Sequence, residues 1–491
     1  MKNNLLPQPA VSPALIFALF AAFTLLCIMA AAVKEAYFAL ALPFSVIFGL
    51  FMVKYFRQAF LLLWLLIPLS IEYEIGETLA TDLPTEPYII LLMGVAVMYY
   101  FANPRQLTRP LLNHPITVLL CLHVLWIGIT ALYAQVALVS GKFFLAKLWY
   151  VSVFYFLSVL FLREEKHFKA LFWCIAIPLS AVIVQTTVRH ALLNFEFSEV
   201  NKTMTPFFRN HVSYAVILAV FLPFALHARH WYKQGTIMRL VVKVIILLML
   251  TGIVFAYTRA AYLSLLLIPV LRFVFAKQLT KWIAAVAFMG VLFMVVYYAN
   301  DYRYLNLAPD YETTIYHANL EDHLTATFEG KDISSMERVY RWIAAFRMSL
   351  QHPLTGFGPG NFYNFYQYYT VDDFETYVSD NEERSGVHNY FLMTLVEQGF
   401  IGLLLFVGLC LAVLVTGENL YRRMPPDQKP FVMAVLVSYA IILFNLTMGD
   451  LIETDKIGSL FFMNMAILAA FAVFNPALHR KTIGKPAKQQ G

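Results

Sequence analysis

The sequence predicts an all-α, polytopic membrane protein of about 12–14 transmembrane helices, with one large outer loop that contains short helices. Three observations predict this class. The chain is 60% hydrophobic and only 13% charged, whereas soluble domains run nearer half apolar and a quarter charged. Its mean hydropathy is +0.66. Apolar runs of about 17–25 residues recur along the whole length, and each can cross a bilayer as a helix.

The runs centre on residues 14–33, 36–53, 58–71, 88–102, 115–134, 138–162, 169–189, 211–228, 240–257, 260–275, 282–299, 389–416, 430–449 and 457–475. That makes about fourteen, the third of them short. The first has only Lys2 ahead of it, and Ala30-Ala31-Ala32 is a weak cleavage cue. It therefore reads as a span and not as a signal peptide. Cys27, Cys121, Cys174 and Cys410 all fall inside apolar runs. They read as small buried residues, not as a disulfide framework or zinc cluster.

Charge orients the spans. Cytoplasmic loops carry the Lys and Arg excess. With the N-terminus inside, the inner loops hold Lys54 and Arg57, Arg105 and Arg109, Arg163, Lys166 and Lys169, and Arg229, Lys233, Arg239 and Lys243. Arg272, Lys277 and Lys281, then Arg422, Arg423 and Lys429, continue the pattern. The outer loops hold acids: Glu72, Glu74, Glu77, Asp82 and Glu86, then Asp450, Glu453 and Asp455. The net charge of +6 is spread over short loops and is no nucleic-acid signal. The expected organisation is a helix bundle over 1–299, a large outer loop over 300–388, further spans over 389–475 and a cytoplasmic tail over 476–491.

The loop 300–388 is too long for a simple connection, and such length is usually functional. It is rich in tyrosine: Tyr302, Tyr304, Tyr311, Tyr316, Tyr340, Tyr363, Tyr366, Tyr368, Tyr369 and Tyr377. A ring with a hydroxyl suits sugars, and equally the headgroup interface. Ser334-Ser335-Met336-Glu337 reads as a capping-box start. Met336, Val339, Ile343, Phe346 and Leu350 then recur at helical spacing as one apolar face. Arg338 and Arg341 share a side, with Arg347 about half a turn away. The helix should stop at His352-Pro353. Gly356-Phe357-Gly358-Pro359-Gly360 follows a helix and links no strand to a helix, so neither a Rossmann nor a P-loop reading fits. It reads as a tight turn returning the chain to the membrane surface.

The loop ends in Val387-His388-Asn389, where a long apolar helix begins at Tyr390. A titratable group at that depth is costly unless water, a partner or a substrate compensates it. Other polar groups share the outer face: Arg209 and His211 before the eighth span, Arg259 in the turn between spans nine and ten, and Lys142 and Lys147 in span six. An arginine at an outer helix end runs against the usual charge bias. Snorkelling explains it blandly. An anionic ligand explains it more sharply, because guanidinium grips phosphate oxygens as a bidentate fork.

Several pieces together resemble a known family: Tyr257-Thr258-Arg259-Ala260, the loop helix with Arg338, Arg341 and Trp342, Pro353-Leu354-Thr355-Gly356-Phe357-Gly358, His388-Asn389-Tyr390-Phe391-Leu392, and Glu397-Gln398-Gly399-Phe400-Ile401-Gly402. The pattern, most specific over about 200–410, is similar to the O-antigen ligase and polymerase superfamily of bacterial envelopes. The resemblance implies a GT-C-like glycosyltransferase of the bacterial inner membrane, metal-independent and without a cofactor, with its active site facing the periplasm. It implies an undecaprenyl-diphosphate-linked glycan as donor and lipid A–core sugar as acceptor for a ligase, or another repeat unit for a polymerase. His388 would serve at the acceptor. Arg259, with Arg338 or Arg341, would hold the donor diphosphate; Arg209 and Lys147 are further candidates, and Asn389 and His211 would support.

The chemistry is consistent with those residues. A lipid diphosphate is a good leaving group, and arginines stabilise the charge that develops on it. A neutral histidine can take the acceptor proton at neutral pH. Asp372-Asp373 and Glu382-Glu383 read as solvated pairs. Asp310, Glu312, Glu321, Asp322, His317 and His323 show no metal-ligand spacing. A membrane transporter with Lys147 in its pathway is the alternative from another class, and a non-catalytic envelope scaffold a third. Transporters tend to show repeats with broken spans in both halves, and no such symmetry is evident.

Overall fold

The computed structural model describes residues 12–75, 79–307, 333–374, 379, 381 and 386–475. Tyr302, Tyr311, Tyr316, Tyr377, Asp310, Glu312, Glu321, Asp322, Asp373, Glu382, Glu383, His317, His323, Ser334, Ser335, Glu74, Glu77 and the tail 476–491 lie outside the described residues or side chains. Among the described residues, twelve helices are each long and apolar enough to cross a membrane. In chain order the helices are α1 (Pro13–Lys34), α2 (Ala41–Lys54), α3 (Phe56–Leu66), α4 (Thr85–Ala102), α5 (Pro115–Leu132) and α6 (Ala137–Tyr150). α6 runs on through a π-helical stretch, Val151–Leu157. Then come α7 (Glu165–Leu192), α8 (His211–Ala228), α9 (Ile237–Phe255), α10 (Arg259–Lys277), α11 (Thr280–Ala299), the loop helix α12 (Ile333–Gln351), α13 (Tyr390–Arg423), α14 (Lys429–Leu446) and α15 (Asp455–Phe474).

The expected count needs one correction. The second and third apolar runs are not two independent spans. α2 and the segment Phe56–Leu69 form one pair bent by 115°, which brings the total to thirteen at most. At 1.5 Å per residue each arm is roughly 21 Å long, short of the ~30 Å hydrocarbon core. The bend falls at Tyr55, whose backbone leaves the helical region (φ −116°, ψ 44°) between Lys54 and Arg57. The all-α expectation also has one exception. The acidic loop after α3 folds as a hairpin, β1 (Ile71–Ile75) against β2 (Leu79–Leu83), antiparallel with Ile71 facing Leu83 and Tyr73 facing Thr81. The alternation Ile71-Glu72-Tyr73-Glu74-Ile75 is the period-two signal of a strand.

Packing divides the bundle into a core and an edge. α8, α14 and α15 form the centre and are mostly buried inside the protein, whereas α11 lies at the edge and is almost wholly exposed. Amides stitch the central helices across their interfaces: Asn464 Nδ2 donates to Ser438 Oγ at 3.0 Å, and Asn445 Nδ2 to Ser264 Oγ at 3.0 Å. Such bonds act as glue where lipid offers no other partner.

The loop helix forms where its pattern places it, and it ends at Gln351. Its buried face follows the expected one only in part: Met336 is buried, and Val339 and Ile343 pack against the core. Tyr340, Ala344, Ala345 and Met348 are buried together with Glu337 and Arg341, while Leu350 of the predicted apolar stripe is 60% exposed. The reason is an i,i+4 ion pair, Arg341 to Glu337 at 3.3 Å, enclosed where α12 packs on the start of α13. Pairing lets a charged face go inward.

Candidate functional site

α13 is not one continuous helix. Gly399 takes φ 70° and ψ −175°, which splits it into a half-helix over 390–398 and a longer helix over 400–423. Only glycine visits that conformation readily, and a Cβ here would overlap the Leu354 carbonyl. The break frees backbone groups, and the turn 353–361 satisfies them. Phe357 N–H donates to Val396 O at 2.9 Å and Gly358 N–H to Glu397 O at 2.9 Å. Phe400 N–H donates to Pro353 O at 2.8 Å. The Glu397 carboxylate accepts from Gly360 N–H at 2.8 Å and Phe362 N–H at 3.2 Å. The glycine-rich turn therefore does more than return the chain to the membrane: it plugs a broken span. α5 holds the other side, with Trp126 Nε1 donating to Gln398 O at 2.8 Å and His123 Nε2 within 3.0 Å of Gln398 Oε1.

This plug fixes the half-helix that follows His388. Asn389 is its N-cap, and its side-chain oxygen accepts from Leu392 N–H at 3.1 Å. The helix start is thus capped by Asn389, and His388 has no capping duty. The Asn389 amide oxygen is engaged with the backbone, so this residue fixes the start of the helix that follows His388. His388 itself sits at φ 57°, in the left-handed region. A non-glycine residue holds that conformation only where its surroundings over-determine it. Here they do. Trp342 Nε1 donates to Val387 O at 3.1 Å. Gly386 lies against the Asp450 carboxylate, whose Oδ2 would be 2.8 Å from an added Cβ. Tyr390 Oη donates to Glu453 Oε1 at 2.7 Å.

The charges around this segment have a definite arrangement. Burial, and then the fields of Arg341 and Arg338, push the His388 imidazole down from 6.5 to about 4. The structure thus brings His388, Arg338 and Arg341 together, and the imidazole is neutral at ordinary pH. Burial pushes the Asp450 carboxyl up, the Glu453 carboxylate adds to this, and Arg209 and Arg341 pull it back. Arg209 therefore borders the same cluster. Arg341 Nη2 contacts Glu337 and Asn381 at 3.3 Å each. Its buried Nε has no acceptor among the described residues. A guanidinium edge left without an acceptor is ready to donate to an anion.

The remaining expected residues are placed as follows. Arg259 opens α10, and Thr258 Oγ1 before it reaches His211 O at 3.4 Å, so Arg259 shares the corner of Arg209 and His211. The His211 Nδ1 lies 2.7 Å from Asn201 Oδ1, which also accepts from the His211 backbone N–H at 3.1 Å. Lys147 is 4% exposed and is bound to Glu453 at 2.6 Å. Its charge is neutralised within the protein, and through Glu453 it braces Tyr390, two residues beyond His388. Arg347 lies apart and donates to Tyr369 O and Thr370 O at 3.1 and 2.8 Å. Among the described residues no group of three or more His, Cys, Asp or Glu side chains is arranged to hold a metal ion.

Sequence reasoning missed the turn 450–453. It noted Asp450 and Glu453 only as topology markers, yet they clamp both sides of His388. Their spacing of three, on a polar turn between two largely apolar helices, was the available signal. It also quoted Glu397 and Gly399 without a role.

Residues 244–407 match the family described as O-antigen ligase. The match runs from α9 to just past the Gly399 break, so it takes in Arg259, the loop helix, the plugging turn and His388. It supports placement in the O-antigen ligase superfamily, as an O-antigen ligase or polymerase family member. Comparison with curated proteins gives no match.

Proposed function

We propose, from the chain's place in the O-antigen ligase superfamily, that it is a glycosyltransferase of the bacterial inner membrane. It transfers an undecaprenyl-diphosphate-linked glycan to a hydroxyl of lipid A–core sugar on the periplasmic face. One observation carries the reading: a histidine held neutral in a strained backbone, with Arg338 and Arg341 in its field and an Arg341 Nε that has no acceptor among the described residues.

The step divides between the two groups. The acceptor oxygen attacks the anomeric carbon of the donor sugar, and a new C–O bond forms. The bond from that carbon to the phosphate oxygen breaks, and its electron pair leaves on the diphosphate. Arg341, Arg338, Arg209 and Arg259 are the cations that hold this developing charge; arrayed donors do so without reorganising during the reaction. His388 accepts the hydroxyl proton, or orients the hydroxyl by accepting its hydrogen bond. Donor binding has a second effect. Burial does most to depress the imidazole, and a bound diphosphate offsets the part added by the arginines, so His388 becomes a better base when the donor is in place. Lys147 acts from behind, through Glu453 and Tyr390. In this reading no metal is needed, because the arginines supply the positive charge.

The test is transfer by purified protein in proteoliposomes, with undecaprenyl-diphosphate oligosaccharide, lipid A–core acceptor and EDTA. Glycosylated lipid A–core and free undecaprenyl diphosphate are expected. Growth of the donor's own glycan without use of lipid A–core would assign the chain to polymerisation. Transfer to neither acceptor by folded protein would defeat the reading.

A further inference from the structure

We propose that the turn 353–361 and the end of α12 form an interfacial anchor that lies within the lipid boundary, on the membrane face that carries the loop. The partner is the bilayer surface itself. This inference does not depend on the glycan chemistry.

The first argument is position. The helix over 400–423 is about 24 residues, or ~36 Å, and crosses a bilayer core of ~30 Å without help from the half-helix before it. Arg422 and Arg423 mark its far end. The near boundary of the hydrocarbon therefore falls close to Gly399. α5 gives the same level independently. It ends at Leu132, which is 83% exposed, and just beyond it Gln135 N–H donates to Phe357 O at 3.2 Å. The turn is thus docked at the rim of the apolar belt, not above it.

The second argument is surface continuity. Phe400 bonds directly to Pro353. Leu354 beside it is 63% exposed and Leu404, one turn further along the span, is 70% exposed. Leu350 extends the same apolar strip up α12. A membrane-facing leucine such as Leu404 needs no explanation. Leucines left open on an extramembrane loop, continuous with it, do.

The third argument is composition and backbone accounting. From Met348 to Val371 the chain carries no Asp, Glu, Lys or Arg, although it belongs to the polar loop. It holds Tyr363, Tyr366, Tyr368 and Tyr369 instead. Aromatic residues without charge are the composition of the headgroup layer. Irregular backbone is tolerated at membrane depth only where its polar groups are paired. In this turn the N–H groups of Gly356, Phe357, Gly358, Gly360 and Phe362 all donate within the protein. Ser140 Oγ donates to Pro359 O at 2.7 Å, and Asn361 Nδ2 to Phe357 O at 3.0 Å. An ordinary solvent-facing turn has no need of so many internal backbone partners.

The experiment places a nitroxide at Leu354→Cys, and separately at Leu350→Cys, in protein whose four native cysteines are alanine. The labelled full chain is reconstituted in phosphatidylethanolamine–phosphatidylglycerol vesicles. Collision rates with dissolved oxygen and with a water-soluble nickel chelate are then measured. Reference labels stand at Leu138, at the exposed start of α6, and at Asp372, on the loop surface. The label at Leu354 is expected to favour oxygen over nickel as Leu138 does, with a ratio at least several-fold above that at Asp372. A ratio like that of Asp372 overturns the anchor, whatever Leu138 shows. If Leu354→Cys does not fold, the same readings at Leu350 decide.

Discussion

Replacing His388 with glycine separates its chemistry from its structural role. The residue sits at φ 57°, where an L side chain costs roughly 1–2 kcal/mol and glycine nothing comparable. Glycine also loosens the unfolded chain, which takes back about 0.4–1 kcal/mol. The helix start keeps its cap, because Asn389 supplies it. The folded protein should therefore melt within a few degrees of wild type. Asn389→Ala, by contrast, should cost about 1 kcal/mol of stability. Acid response adds a second handle. The imidazole is pushed down to about 4 from 6.5. Its folded state binds fewer protons than the unfolded chain, so wild-type stability is full above about 6.5 and is lost as pH falls toward 4. At 1.36 kcal/mol per pH unit that loss approaches about 3 kcal/mol, and His388→Gly should lack it. Transfer should fall by about 10²–10⁴, the usual loss for a general base. The assays are thermal unfolding in detergent from pH 4 to 7, lipid-diphosphate binding, and glycan transfer in vesicles. Transfer within a few-fold of wild type by the stable glycine variant would refute the catalytic role. Loss of donor binding with no separate effect on transfer would move His388 into the phosphate site.

The remaining predictions concern its neighbours. Arg341→Lys and Arg259→Lys keep a charge but lose the guanidinium fork, so donor binding should weaken about tenfold or more at unchanged protein level. Arg347→Ala, which only releases the Tyr369 and Thr370 carbonyls, should leave donor binding within two- to threefold in the same assay, by the usual modest worth of such bonds. Gly399→Ala forces a side chain into φ 70° against the Leu354 carbonyl. It should destabilise by at least about 1–3 kcal/mol, read as a lower melting temperature together with faster proteolysis of the turn 353–361. In intact cells a cysteine at Asp372 should react with a membrane-impermeant reagent. Labelling only after the inner membrane is breached would reverse the topology and the side on which the site acts.

The pattern of apolar runs was enough to reveal a helical membrane bundle, because burying a span in lipid is a local requirement that each run meets by itself. The same is true of the loop helix, whose start and stop signals lie within a few residues. The short runs at 36–53 and 58–71 were misjudged because length alone does not say whether two arms meet at a bend, and Tyr55 carries no signal of 115°. Among site residues, His388, Arg338 and Arg341 were legible from their types and from the junction they occupy. The full face that α12 buries was not, since the apolar stripe marks Met336, Val339 and Ile343, whereas the Arg341–Glu337 pair carries two charged residues inward as well. Gly399 and Glu397 were visible as letters only. Their work is to exchange hydrogen bonds with a turn some forty residues earlier, and such a partnership has no local trace. Likewise Asp450 and Glu453 reach Gly386 and Tyr390, on either side of His388, across about sixty residues of chain and two membrane helices. The solvent, the helices and the cast of chemically capable residues all follow from short-range physics and can be read along the chain. Which of those residues meet is a long-range matter, because it depends on how a broken span, a plugging turn and a distant acidic turn close on one another.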